Sequence, residues 1–171
     1  MRDVLARFGR EVIMVTHNRD EAYNMSREIA VMDSGRLLTV NKTKALFADP
    51  GSIPAAMLTG CKNIAAAQKR GEHEVYVPEW GVTLTTAQSV NDNLKAIGIR
   101  AHYFNADTPK NRFPVEYVEE MEEPFEWIIE FRFRSAAENA QSVWWRVTKD
   151  KRPQVFPDEL GIAPANILLL Y

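Results

Sequence analysis

Apolar and polar positions alternate in two different rhythms along this chain, and the rhythm changes near residues 58–72. Before that point helical and strand patterns follow one another. Val4, Leu5 and Phe8 predict a short amphipathic turn that Gly9 can end. The run "EVIMVTH", residues 11–17, is short, β-branched and continuously apolar, which predicts a strand buried on both faces. "NRDEAYNMSRE" opens on Asn18, a good N-cap. It carries Asp20 and Glu21 in its first turn, where the helix dipole favours acid. "IAVMDSGRLLTV" predicts two strands joined at Asp33, Ser34 and Gly35. "TKALFADP" predicts a helix capped by Thr43 and stopped before Pro50, and "SIPAAMLTG" a second one from Ser52 to Gly60. This is α/β material, far too little for a complete α/β domain.

From about residue 72 the pattern is almost wholly strand. Candidates are "HEVYV", "GVTLTT", "LKAIGIRAHYF", "FPVEYVEEM", "EWIIEFRFR", "SVWWRVTK" and "NILLLY". In "WIIEFRFR" the period of two puts Trp127, Ile129, Phe131 and Phe133 on one face, with Ile128, Glu130, Arg132 and Arg134 on the other. Short strands separated by Gly, Pro and Asn turns predict a small barrel or sandwich.

Composition narrows the classes. With 171 residues, 46% hydrophobic and 26% charged, the chain has a globular make-up of one domain or one and a part. A formal net charge of -2 argues against a general polyanion binder. The single cysteine, Cys61, forms no internal disulfide and builds no thiolate metal site, which fits a reducing compartment. No run approaches the roughly 20 apolar residues of a membrane-spanning helix, and the first ten residues lack a signal-peptide core. The expectation is a soluble cytoplasmic chain.

The stretch "VIMVTHNRDEAYNMSREIAVMDSGRL" resembles the C-terminal part of the nucleotide-binding domain of an ATP-binding cassette (ABC) transporter ATPase. There a strand ends in Thr-His and is followed by an Asp-Glu-Ala helix, a second strand and a Gly-Arg turn. Thr16, His17, Asp20, Glu21, Ala22, Gly35 and Arg36 fall in that register. "KALFADPGSIPAAMLTGCKN" is similar to the family's segment leading out of the ATPase domain, through Phe47, Pro50, Gly60 and Asn63. "AIGIRAHYF" resembles a motif of the TOBE-type β-barrel that follows in importers. The resemblance covers about residues 3–104; the His17 segment is its specific part. The Gly60–Cys61–Lys62–Asn63 junction looks most like the ATPases of molybdate and sulfate importers.

Two positions depart from the pattern. Asn41 stands where a glycine is usual, and asparagine also tolerates a left-handed backbone. Ala101 and His102 replace the usual Pro-Glu after Arg100, which removes whatever that acid does. The larger departure is a lack. The 171 residues contain no G-x-x-x-x-G-K-[ST] phosphate loop, no Gly-rich signature and no strand ending in Asp-Glu. The phosphate loop holds nucleotide through its backbone N–H groups and its lysine, so no cofactor is expected for this chain alone. ATP and Mg belong to the longer protein of which this looks like the C-terminal portion.

In that longer protein the resemblance gives His17 the place of the switch histidine, reaching the γ-phosphate and the attacking water from a strand end. Asp20 and Glu21 read as dipole-complementing residues. The three histidines, His17, His73 and His102, show no metal spacing. Cys61 reads as a small buried filler before a reactive thiol. "EFRFR" and "VWWRV" interleave aromatics with arginines as a single-strand nucleic-acid platform does, but the alternation at 127–134 sends the two kinds to opposite faces, as a half-buried strand needs. No nucleic-acid partner is expected. "EYVEEMEEPFE" reads as a solvated edge or loop.

An oxyanion regulatory site in the β-domain needs cations, hydroxyls and backbone N–H groups converging at a turn. Lys62, Asn63, Arg100 and His102 are the candidate positions. Against this, Arg100 reads first as a structural residue bonding strand-end carbonyls, and His102 charges only near pH 6.5.

The sequence therefore reads as an α/β remnant of an ABC ATPase domain, residues 1–58, followed by an all-β TOBE/OB-like small barrel, residues 59–171. Implied partners are a second ATPase subunit in a homodimer, a membrane permease that holds the pair at the inner face of the cell membrane, and an oxyanion ligand. The competing readings are an autonomous β-domain that dimerises or senses solute, and a fragmentary gene product. Residues from about 59 onward are expected to fold without the N-terminal portion.

Overall fold

The computed structural model describes residues 11–171; the amphipathic turn expected at Val4, Leu5 and Phe8 lies outside them. The first regular element is helix α1, Arg19–Met25, and its start follows from one side chain. The Asn18 Oδ1 accepts from the N–H groups of Asp20 at 2.9 Å and Glu21 at 3.2 Å, satisfying two of the orphan donors of a helix N-terminus. Strands β1, Glu28–Asp33, and β2, Arg36–Lys42, form an antiparallel hairpin. Its two-residue turn has Ser34 at φ 48° and Gly35 at φ 75°, the double left-handed geometry that suits strand twist. Helices α2, Thr43–Ala48, and α3, Ile53–Leu58, complete this portion.

Two expectations fail here. Residues 11–16 are not a strand buried on both faces: they have no ladder partner among the described residues, and Ile13 and Val15 are 93% and 96% exposed. A strand exists only where neighbours take its backbone groups, and no described segment does so here. Thr43 is not the N-cap of α2 but its first residue. Its hydroxyl donates instead to the Ser26 carbonyl at 2.7 Å, while its N–H donates to Arg27, so the side chain ties α2 back to the chain after α1.

The remaining strands run β3 (Asn63–Ala66), β4 (Gln68–Gly71), β5 (Glu74–Val77), β6 (Val82–Thr85), β7 (Ala96–Ile99), β8 (Phe113–Glu122), β9 (Glu126–Phe133), β10 (Val143–Thr148), β11 (Glu159–Leu160) and β12 (Ile167–Leu170). Their ladders make three antiparallel sheets, in the orders β10-β9-β8-β11, β12-β7-β3 and β4-β5-β6. No ladder closes these into a single ring, so the chain is mostly β-sheet wrapped on a common core without a closed barrel. β3 and β4 were not anticipated. Alanine and charge in "NIAAAQKR" give little β propensity, and β3 is held by pairing with β7 along its whole length.

The core fills the space between the sheets. Val75, Leu84, Ile97, Ile99, Phe131 and Leu169 are buried in one cluster. Phe131 packs edge-on to Phe104 and to Phe133, at ring-centroid distances of 5.1 and 5.4 Å. The expected alternation on β9 holds at Ile129, Phe131 and Phe133, all buried, with Glu130 and Arg132 half-exposed between them. Ile128 is buried as well, against its assigned face.

The N-terminal portion has a far smaller core. Of the hairpin only Val31 is buried, against Leu46 and Ala55. Met32, Leu37 and Val40 stay more than half exposed. Stability distributes with burial, so amide hydrogen exchange should be fastest in residues 11–42 and slowest in β7, β9 and β12. Equal protection of hairpin and β-sheet core in a proven monomer would contradict this ordering.

Candidate functional site at the helix–sheet junction

The four positions singled out for an anion lie where the chain leaves α3 for β3 and where β7 runs out. Asn63, the first residue of β3, is 5% exposed. Its Nδ2 donates to the Trp144 carbonyl and its Oδ1 accepts from the Trp144 N–H, both at 2.8 Å. One carboxamide thus pairs with the outer edge of β10 as a neighbouring strand does. Removing it strands a buried donor and acceptor, at about 1–3 kcal/mol for each unsatisfied group. Lys62 is exposed, and its ammonium sits 5.7 Å from the Trp144 ring centroid, within cation–π range.

Arg100 follows β7 directly and is half-buried. Nη1 donates to the Thr59 carbonyl at 2.7 Å, and Nη2 to the Phe47 carbonyl at 2.5 Å and Thr59 Oγ1 at 3.4 Å. Phe47 lies in the last turn of α2, and Thr59 is the C-cap of α3. The guanidinium therefore satisfies carbonyls left over at two helix C-termini, where positive charge is also favoured by the dipoles.

His102 lies on the 3-10 turn Ala101–Tyr103, with its ring 4.3 Å from that of Tyr103. The residue is exposed overall, yet burial of part of the ring holds its pKa below the ordinary value. Arg100 and Arg146 push the same way, against a weaker opposing pull from Glu126. Arg146 itself is ion-paired with Glu126 at 3.0 Å and Glu123 at 3.6 Å. These influences together favour the neutral imidazole over the charged one.

The junction thus gathers the four residues around Trp144, Arg146 and Thr59, three positions that the sequence pattern did not flag. Nothing local could have flagged them, since Asn63 and Trp144 are 81 residues apart. Asn63 and Arg100 direct side-chain donors to the Trp144, Thr59 and Phe47 carbonyls, whereas Lys62 faces solvent. The two best-formed depressions lie elsewhere. One, of about 580 Å³, is lined by Arg112, Arg134, Asp158 and Glu159 among others, and its arginines pair with those two acids.

His17 stands outside the junction, exposed in a bend before α1. Its neighbours build the cap: Thr16 Oγ1 donates to Glu21 Oε2 at 2.9 Å and accepts from the Asn18 N–H at 3.0 Å. The residues present do not fit ATP, because no loop with convergent N–H groups and a lysine stands near His17 in the sequence. Among the described residues no cluster of three His, Cys, Asp or Glu could hold a metal ion. Nor is any described helix long and apolar enough to cross a membrane.

No protein-family model matches the chain. It is similar to a ferric-ion import ATP-binding protein of Rhodococcus jostii, 32% identical over 69 residues, which is 40% of this chain and 20% of that protein. A sulfate/thiosulfate import ATP-binding protein of Chromobacterium violaceum is 28% identical over 92 residues, 54% of this chain and 25% of its own length. The putrescine transport ATP-binding protein of Escherichia coli is 31% identical over 62 residues, 36% of this chain and 16% of its own. These relatives are ATP-binding subunits of importers, and this chain spans a quarter or less of each.

Cys61, between α3 and β3, supplies a test of the junction. Burial raises its thiol pKa to about 11, against a smaller lowering by Arg100 and by backbone contacts to Asn63 and Ile99. The native thiol should resist a disulfide reagent at pH 8 and react fully in urea. A folded-state pKa above the unfolded value, about 8.5, favours the native state below that pH. This contribution is lost as pH rises toward about 11, so urea midpoints should fall more steeply across that window in wild type than in Cys61→Ala. Rapid modification of the folded protein would show that the junction opens.

Proposed function

We propose that this chain is the C-terminal part of an ABC importer ATP-binding subunit, ending its nucleotide-binding domain and carrying a TOBE-like β-domain. The observation that carries the reading is the shared kind of relative. Proteins named for ferric ions, sulfate or thiosulfate and putrescine are all importer ATP-binding subunits. Three chemically unlike solutes argue that the matched stretch serves the common ATPase machinery. In this reading the complete protein couples ATP hydrolysis to solute uptake, works as a pair of subunits against a membrane permease, and sits on the cytoplasmic face. The boundary in this reading is drawn near residue 58.

The molybdate or sulfate refinement rests on Gly60–Cys61–Lys62–Asn63. Cys61 is a buried thiol and Asn63 pairs with Trp144, so these residues have structural work that any solute class would share. In this reading the β-domain serves dimerisation or regulation, and its narrower form is an oxyanion held near Lys62, Asn63, Arg100 and His102, of which Lys62 is the cation that faces solvent. The second reading, an autonomous β-domain without an ATPase role, is favoured by the large separate core behind β5, β7 and β9.

Calorimetry separates the parts. The 171-residue chain should show no binding of Mg-ATP, because it has no phosphate loop; a low-micromolar dissociation constant sinks the assignment of its N-terminal portion. Genomic sequence upstream of Met1 should encode a phosphate loop in the same frame, and its absence favours the autonomous domain.

In the complete subunit, His17→Ala should lower ATPase turnover by on the order of 10²-fold with nucleotide affinity nearly unchanged, the pattern of a group acting in the transition state. Wild-type turnover in that variant returns His17 to an ordinary polar residue before a helix.

A further inference from the structure

The sheet β10-β9-β8-β11 has two unlike edges. At β10, the Asn63 carboxamide takes both main-chain groups of Trp144. At the other side, β11 covers only Phe113 and Pro114 of β8, and the Val115 N–H donates to the Asp158 carbonyl at 2.9 Å. Beyond Val115, the main-chain groups of Tyr117–Glu122 that face away from β9 have no partner among the described residues. An edge of this kind is a template for another strand.

Its side chains select the occupant. The register sets Glu119 directly opposite Glu130, a like-charge pair that costs stability in a sheet. Glu130 accepts from the Ser142 hydroxyl, and Glu116 lies opposite Arg132 across the ladder, whereas Glu119 is exposed, faces no cation across the ladder and has no ion pair among the described residues. Met121, on the same row, is 54% exposed. On the opposite face a depression of about 160 Å³, lined by Tyr117, Glu120, Ile129, Arg152 and Phe156 among others, has room for one side chain. Glu120 and Glu122 are already neutralised there, by Arg152 at 2.5 Å and Lys149 at 2.6 Å. A second copy of β8 would bring glutamates against glutamates, and the bulge between Tyr117 and Glu119 breaks its register.

We propose that the outer edge of β8, Tyr117–Glu122, is a docking site for an extended basic segment of a partner protein. The segment adds as a strand, placing Lys or Arg against Glu119 and an aliphatic side chain beside Tyr117. Main-chain hydrogen bonds supply the attachment, and the acidic row supplies the selection. This goes beyond the importer reading and stands without it, since it uses only the β-domain.

The probe is a fluorescent hexapeptide alternating lysine and valine, titrated against the full 171-residue chain at low salt. Saturable binding is expected, with exchange protection appearing at Tyr117–Glu122. Methylating alternate peptide nitrogens should weaken it by about tenfold or more, as should Glu119→Lys at an exposed position, with Glu119→Gln intermediate. A peptide with glutamate in place of lysine should not bind. Absence of saturable binding overturns the proposal. So does binding indifferent to N-methylation, which marks mere surface charge, or binding unchanged in both Glu119 variants.

Discussion

Two helix ends aim their last carbonyls at one guanidinium, and the order of the N-terminal portion depends on that meeting. Helices α2 and α3 have six residues each, well below the length at which a helix holds itself in water. Neither has a basic residue in its last turn, and neither has a side-chain N-cap bond. Arg100 supplies the missing charge to both, bonding Phe47 and Thr59 together. It can do so because β7, just before it, is buried at all four residues and cannot shift.

Helix α3 then acts as a wedge between two cores. Ala55 packs with Val31 and Leu46, while its neighbour Ala56 packs with Cys61, Ala96 and Leu170. Both alanines are fully buried, and only small side chains let the helix approach both sides so closely. The Tyr171 N–H donates to the Gly51 carbonyl, which fixes the loop ahead of α3 to the last residue of the chain. A division drawn at residue 58 therefore cuts through packed alanines and a charged clamp. The β-domain owns most of its core, but α3 covers one side of the sheet β12-β7-β3.

What was legible in the sequence follows the range of the forces involved. Asn18 capping, the Ser34–Gly35 turn and the alternation on β9 are set by residues within a few positions of each other, and pattern reading finds them. Thr43 failed because it sits one residue inside the helix, where its hydroxyl donates to the Ser26 carbonyl 17 residues away instead of accepting a helix N–H. The apolar run 11–16 failed for a related reason: a strand is a property of two segments, and hydrophobicity describes only one. At the junction the residue types pointed to charge and hydrogen bonding, but the partners did not show. Asn63 and Arg100 look like ligand donors until Trp144, Phe47 and Thr59 are seen to occupy them.

The same contrast runs through the whole junction. Asn63 and Arg100 are bonded to main-chain groups of the chain itself, so they specify how helices meet sheets. Solute chemistry has no purchase on a carboxamide bonded twice to a strand edge, or on a guanidinium bonded to helix carbonyls. Variation that matters for partners must fall instead where donors and acceptors still face water. In the β-domain the outer edge of β8 is such a place, with its bulge and exposed glutamates. The β10 edge, already paired by Asn63, has no such freedom at Trp144.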